Sequence, residues 1–528
     1  MLNYFQEQKL KRLRDEWLSP KRWDREFSSI RVLFDLSWSK HRDGVVDEKT
    51  WNDLDMNSIF RKVDTTMTSA GQQYLYRKLR LLKNPDSDLE EDFRVASILQ
   101  QDRDTRERLQ LCLQMLKQGD AKIVCRTLFE QFPIINFSKT AILLWTAVSL
   151  TTITLALILG GNFLFLLLPL VIANFALSRY FETASDGITY VLYYLYNLAA
   201  TSERIAKLEI PHSIPACENL KRNIKSIRRV RRTLKLASTS QNHESMIVNN
   251  VMYLLNLIIP YDLIIYTFSL KFILGDIVVL QNCYLSIGSI DTSIATASYL
   301  QQNSQLINPE LIGARTIQLE DAYHPLVDNY VTNSFNSEGL SALITGSNMA
   351  GKTTFIKTVG VNLIFARTLW ICHATRAQLP VMSVLSSIKT QDGLEEGKSF
   401  YFAELERLNT FLERSKAGGD CLFLIDEIYR GTNTVERIAG AVAVLQELAT
   451  NNFVFVTTHD IELSTYLSAQ FAMWHFEETG TKTQPFDYLL KPGVCTTRNA
   501  LKLMVNLGYP KHITERARSI AHDVDEKG

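Results

Sequence analysis

The sequence contains no Cys-x-x-Cys pair; its seven cysteines (Cys112, Cys125, Cys217, Cys283, Cys372, Cys421, Cys495) are scattered and odd in number. That argues against a disulfide framework or a thiolate zinc site and points to a reducing compartment for the soluble parts. An excess of either charge is also missing: 57 Lys and Arg stand against 56 Asp and Glu. No global field therefore draws the molecule toward nucleic acid or an anionic membrane, and any such attraction must be local. The opening stretch MLNYFQEQKLKRLRDEW is basic and amphipathic, with no apolar h-region or small-residue cleavage site, so it reads as a surface helix rather than a signal peptide. What is present is ample apolar material: 46% of 528 residues are hydrophobic. Large cores and roughly two to four domains follow.

Charge itself is absent from residues 140–178, in a chain with 21% charged residues. This stretch divides into 141–159, a Gly160-Gly161-Asn162 break, and 163–177. The first half matches a bilayer span, because about 20 helical residues cross roughly 30 Å of hydrocarbon. Lys139 and Arg179 flank the pair and would share one side of a helical hairpin, as the positive-inside rule prefers. A transmembrane pair is the favoured reading over a buried hairpin, although Pro169 and the short second half suit the latter. A second apolar stretch, 245–261, contains Asn249, Asn250, Asn256 and Pro260 and is followed by Asp262, so it reads as a packed interior helix.

Acidic residues are missing between Glu218 and Glu244, where Lys221, Arg222, Lys225, Arg228, Arg229, Arg231, Arg232 and Lys235 crowd together. Leu220, Ile224, Ile227, Val230 and Leu234 recur at helical spacing, which predicts an amphipathic helix with a basic face. Three readings stand: sequence-independent contacts to DNA phosphates, contacts to anionic lipid headgroups, or a plain solvated surface.

The densest chemistry lies near the C-terminus. After the apolar run 340–345 comes GSNMAGKTT, comprising Gly346, Ser347, Asn348, Met349, Ala350, Gly351, Lys352, Thr353 and Thr354, followed by a helical pattern. This is the full G-x4-G-K-[ST] phosphate loop in strand-to-helix context. Its glycines let backbone N–H groups close around phosphate, aided by the helix N-terminus. Lys352 should reach the β- and γ-phosphates of ATP, and the Thr353 hydroxyl should bind Mg²⁺. Downstream, CLFLIDE reads as a buried strand ending in Asp426, a magnesium holder, and Glu427, a base for the attacking water. The strand FVFVTTHD ends at His459, placed to sense the γ-phosphate or position water.

Together these segments resemble the MutS branch of the ABC-type ATPases. The Asn348-Met349 pair, the DEIYRGTNT run of 426–434 and the TTHD motif look like that branch's versions of the nucleotide motifs. GKSFYFAEL, 397–405, is similar to the segment that completes the neighbouring subunit's site, so the resemblance implies that Ser399 contacts the γ-phosphate in trans across a homodimer. Tyr330 matches an aromatic that stacks on adenine. Residues 54–82, with Asp64, Thr65, Thr68 and Gly71, look like the start of a MutS core domain, and the tail resembles the family's closing dimerisation helices. About half the chain carries such patterns, most densely over 320–520.

The reading that results is an α/β P-loop ABC-type ATPase domain preceded by a mostly α-helical, MutS core/lever-like domain with an apolar helical hairpin. Its expected boundaries are an N-terminal helical segment (1–53), the core-like domain's first part (54–138), the hairpin (139–180), the core's second part (181–310) and the ATPase domain (311–528). The resemblance is to a shortened member lacking the mismatch-recognition domain. It implies ATP hydrolysis with Mg²⁺ and a mismatch-repair-related action on duplex DNA. The alternative is a membrane-associated ATPase acting on a protein or lipid partner. Membrane association with a cytoplasmic ATPase domain is expected, with a cytoplasmic protein as the other possibility.

Overall fold

The computed structural model describes the chain except residues 1, 19–25, 39–43, 84–86, 117–120, 131–137, 160–164, 166, 185–187, 239–249, 251–253, 262, 265–266, 268–272, 314, 348, 389–399, 419, 430–432, 478–485, 495–507 and 526–528. The chain divides into two units: Met1–Lys40, Val63–Arg77 and Arg94–Gln302 form one, and His41–Lys62, Lys78–Phe93 and Asn303–Gly528 form the other.

The first unit is helical. Its central helix, Ile277–Gln302, is buried on nearly every side over its C-terminal two-thirds, as expected for a helix carrying apolar and small residues all round. Gly288 allows close approach: a Cβ there would lie 2.9 Å from the Ala70 carbonyl oxygen. Asp291, fully buried on the same helix, accepts the N–H groups of Met67 and Thr68 and the Thr68 hydroxyl, at 2.7 to 3.0 Å. The carboxylate thus caps the start of helix Ser69–Arg80, and Gly71 leaves room for it. This gives a structural role to Thr68 and Gly71 of the 54–82 pattern.

The charge-free stretch forms helices Lys139–Leu159 and Leu167–Ala184. Among the described residues, only the first is long and apolar enough to cross a membrane. Leu157 is 80% exposed and Ile158 73%, whereas Ser149 and Asn174 are buried. Trp145 Nε1 donates to Asn174 Oδ1 at 2.8 Å, and Asn174 Nδ2 donates to the carbonyls of Leu257 and Ile258. The hydroxyls of Thr146, Thr152 and Thr154 bond back to carbonyls four residues earlier. Of the 245–261 stretch, residues 245–249 and 251–253 lie outside the described residues; Asn256 is buried.

The basic stretch is two helices, Pro215–Arg222 and Ile224–Ser238, where the sequence pattern suggested one. The break falls at Asn223, whose amide donates to the Asn219 carbonyl and competes with the helical ladder. Leu220, Ile227, Val230 and Leu234 are buried as the spacing predicts.

The second unit holds two sheets. Strands β1 (Glu310–Ile312), β2 (Gln318–Ala322), β3 (Asn333–Asn336) and β5 (Arg376–Pro380) form a small one, ordered β1-β5-β2-β3. Strands β4 (Ser341–Thr345), β6 (Ser383–Ser387), β7 (Cys421–Asp426), β8 (Phe453–Thr458), β9 (Phe471–His475) and β10 (Lys491–Pro492) form the main one. Its order is β10-β9-β4-β8-β7-β6, parallel except for the β10–β9 pair. β4 and β8 are buried throughout and β7 at all but its last residue, so these strands read as continuous apolar runs rather than alternating ones. β4, β8 and β7 are neighbours, so the loops after them open at one end of the sheet, where open α/β sheets bind ligands.

β6 is an edge strand, and its outward groups are satisfied by an unexpected segment. Thr50 Oγ1 accepts Ser386 N–H at 3.0 Å, and the fully buried Asp53 accepts Ser386 Oγ at 2.7 Å and Ile388 N–H at 2.9 Å. Asp47 caps the helix Glu48–Asp53 and pairs with Arg407 at 2.8 Å. Residues 41–62, which the sequence reading divides between an N-terminal segment and the core-like domain, are thereby part of the ATPase unit and cover its open edge.

Candidate nucleotide site

The loop after β4 turns into helix Lys352–Thr368 through two glycines with left-handed backbone, Gly346 (φ 141°) and Gly351 (φ 109°). A Cβ on Gly346 would sit 2.5 Å from the Phe476 carbonyl oxygen, so only glycine fits this approach. Met349 also holds positive φ and is 83% exposed at the loop's crest. Lys352 is buried, and its Nζ donates to the Gly346 and Ser347 carbonyls at 2.7 and 2.8 Å, which holds the ammonium inside the loop's curve. Ala350 is buried beneath it, and Asn348 lies outside the described residues.

Asp426 ends β7 beside Thr457 of β8, its direct partner across the ladder. Thr353 Oγ1 lies 3.0 Å from both Asp426 carboxylate oxygens, and the Thr457 hydroxyl donates to one of them. An all-oxygen cluster of hydroxyl and carboxylate at the mouth of the phosphate loop suits hard Mg²⁺. Glu427 follows, with its N–H on the Thr457 carbonyl at 3.0 Å and its Oε1 2.7 Å from His459 Nε2. Thus three motifs from separate parts of the chain meet within one arrangement.

Ser347, Lys352, Thr353, Asp426 and Glu427 line one cleft of about 560 Å³, within the range of small-molecule sites. Ser347, Lys352, Thr353, Thr354, Asp426 and Glu427 form its phosphate end. At the other end Tyr330 stacks on Tyr323, ring centroids 4.1 Å apart and 12° from parallel. Tyr330 is partly exposed and donates its hydroxyl to Gln305 at 2.9 Å. Burial pushes the Tyr323 phenol up to about 12 and holds His324 down to about 4, with Lys357 adding to the latter. Tyr323 and His324 are therefore both neutral at neutral pH.

Ser399 lies outside the described residues. The basic residues of 221–235 are not in this cleft. Several bond within their own unit: Arg228 and Arg231 to the buried Glu203 at 3.2 and 3.1 Å, Arg229 to Asp276, and Arg222 to Glu218 at 3.5 Å.

Sequence reasoning missed Thr457, Phe476 and Tyr488. Thr457 was visible as the penultimate threonine of a strand adjoining Asp426's. Phe476 and Tyr488 line the cleft from the chain beyond β9. Asn333 ties the latter down, donating to the Tyr488 carbonyl at 3.0 Å and accepting Leu490 N–H at 2.6 Å.

A family model for MutS domain V matches residues 342–525. The DNA mismatch repair protein MSH3 of Yarrowia lipolytica is 27% identical over 252 residues, covering 46% of this chain and 25% of that protein. Endonuclease MutS2 of Streptococcus equi subsp. equi is 28% identical over 258 residues, 47% of this chain and 32% of its own. The DNA mismatch repair protein MutS of Thermus aquaticus is 29% identical over 212 residues, 39% of this chain and 26% of its own. The chain thus spans about a quarter to a third of the curated relatives it matches. Residues 342–525 match a P-loop ATPase domain of the MutS type, and over that C-terminal part the chain is similar to MutS-family proteins.

Proposed function

We propose that the protein binds ATP with Mg²⁺ and hydrolyses it, in a mismatch-repair-related role on DNA. The observation that carries the catalytic part is the meeting of Thr353, Asp426, Thr457, Glu427 and His459 at the mouth of the phosphate loop. Backbone N–H groups of the loop and the Lys352 ammonium hold the β- and γ-phosphates. Thr353 and Asp426 would hold Mg²⁺, which supplies charge neutralisation to the phosphates. Glu427 takes the proton of the attacking water, and the His459 hydrogen bond fixes which way its carboxylate points. Tyr330, supported from behind by Tyr323, offers a face for adenine. By family resemblance a second copy supplies Ser399 to the γ-phosphate, so that a homodimer encloses two nucleotides and its helical arms move with their turnover.

Contact with duplex DNA falls to basic residues that Glu203, Asp276 and Glu218 do not hold. Binding should weaken steeply with salt, by a slope of about 0.9 per phosphate neutralised. Joint substitution of Lys221, Lys225 and Arg232 by Gln should lower that slope; salt-insensitive or absent binding would reject the DNA role.

One observation favours a second reading, in which the partner is at a membrane. Helix Lys139–Leu159 is long and apolar enough to cross a membrane and leaves Leu144, Leu157 and Ile158 exposed, while the hydroxyls of Thr151, Thr152 and Thr154 bond to carbonyls of their own helix. Carbonate extraction of native membranes decides between the two: retention in the pellet supports a bilayer anchor, and release into the supernatant rejects it.

A further inference from the structure

The turn that carries Glu427 is built with strain. Glu427 and Tyr429 both hold left-handed backbone, φ 56° and 59°, a conformation uncommon for any non-glycine residue and an outlier for a bulky one. Such backbone persists only where its surroundings over-determine it, and it concentrates at functional sites. Here the surroundings are visible. On one side the Glu427 N–H is fixed to the Thr457 carbonyl of β8. On the other, the Tyr429 N–H is taken by the carboxylate of Glu404, a residue of helix Phe400–Lys416 that is only 4% exposed. The Tyr429 ring, buried in turn, packs edge-on to Tyr401 of the same helix, centroids 6.0 Å apart. Its other side meets Gly440 of helix Thr434–Ala449, where a Cβ would come within 3.3 Å of Tyr429 Cε2.

A buried carboxyl group is costly to place unless its location matters, and one oxygen of Glu404 accepts the Tyr429 N–H. A charge-assisted hydrogen bond is also shorter and stiffer than a neutral one. We infer that Glu404 and Tyr429 are positioning residues for Glu427: Glu404 clamps the far end of the turn and the Tyr429 ring wedges between two helices. The intervening backbone then has one conformation, and the Glu427 carboxylate is aimed at His459 and the phosphate loop. Neither residue touches the nucleotide cleft, so both act through Glu427. This inference rests on the proposed role of Glu427 as the water-activating base.

The test is steady-state ATP turnover by the full chain, with ATP binding measured separately by a fluorescent ATP analogue. Glu404→Leu should lower kcat about ten-fold or more while KM stays within about two-fold, since misplacing a catalytic group by an ångström can cost up to about a hundred-fold. Glu404→Gln, whose amide oxygen can still accept the Tyr429 N–H, should keep kcat within about three-fold of wild type. Tyr429→Gly removes the wedge and frees the backbone; it should lower kcat at unchanged KM, and Glu404→Leu should add little on top of it. If Glu404→Leu does not fold, Tyr429→Gly alone decides. Normal kcat in Glu404→Leu or in Tyr429→Gly overturns the inference, as does a Glu404→Gln protein as impaired as Glu404→Leu with KM raised in parallel. Glu427→Gln is the control. Unchanged turnover in that variant would sink the proposed function itself; loss of turnover there, with normal Glu404→Leu and Tyr429→Gly proteins, sinks only the positioning claim.

Discussion

In the ATPase unit several buried or half-buried polar side chains point toward one place, whereas in the helical unit Asp291, Glu203 and Asn174 are spread out and answered locally. Lys352, Thr353, Asp426 and Glu427 converge on a single cleft, with Thr457 donating to Asp426 from the adjoining strand. Asp291, Glu203 and Asn174 sit apart in the other unit, the first holding a helix start, the second a cluster of Lys207, Arg228 and Arg231, and the third a tryptophan and two carbonyls. Convergence signals chemistry; dispersion signals fixation of shape. A buried polar group is therefore informative about function only through what else it faces.

The contrast can be broken in order of expected effect. Glu427→Gln should reduce ATP turnover by about a hundred- to ten-thousand-fold, the usual contribution of a general base, while ATP binding persists; single-turnover kinetics would show it. Asp291→Ala should leave the ATPase chemistry intact in principle but destabilise the helical unit by about 2–4 kcal/mol, because it orphans the N–H groups of Met67 and Thr68. Denaturant unfolding should show it as a shifted midpoint. A result in the opposite pattern, with Asp291→Ala abolishing catalysis in a stably folded protein, would erase the distinction between the units.

Acid should act on the ATPase unit through its buried histidines. Burial lowers His324 to about 4 and His373 to about 3, so both stay neutral when folded while the unfolded chain takes up protons near 6.5. Stability contributed by their neutrality is full above pH 6.5 and is lost as pH falls toward 4, by up to about 3 kcal/mol for His324. His324→Gln should flatten that slope in unfolding measurements; an unaltered slope would show that other groups carry it. The smallest expected change is at the basic helix. Lys225→Gln with Arg232→Gln should alter stability by less than about 0.5 kcal/mol and show only in the salt dependence of DNA binding.

How much of this was legible in the sequence follows from distance along the chain. The phosphate loop is local, with Gly346 and Lys352 six positions apart, and the strands leading to Asp426 and His459 declare themselves by unbroken apolar runs. Contacts between remote positions leave no such trace. Asp53 finds Ser386 across 333 positions, and Glu404 finds Tyr429 across 25, with nothing in either stretch to mark the pairing. The basic face is open, as its eight cations between 221 and 235 suggest, but the carboxylates that meet Arg228, Arg229 and Arg231 come from Glu203 and Asp276, which nothing in the stretch itself marks. Asn348 and Ser399 themselves fall outside the described residues.

The most direct test of the central claim is equilibrium binding of Mg-ATP to wild-type protein and to Lys352→Ala. The arrangement of loop, lysine and Thr353–Asp426 pair predicts saturable binding by the wild type and a loss of at least about a hundred-fold in affinity, with no turnover, in the variant. Normal nucleotide affinity and hydrolysis by a folded Lys352→Ala protein would contradict it.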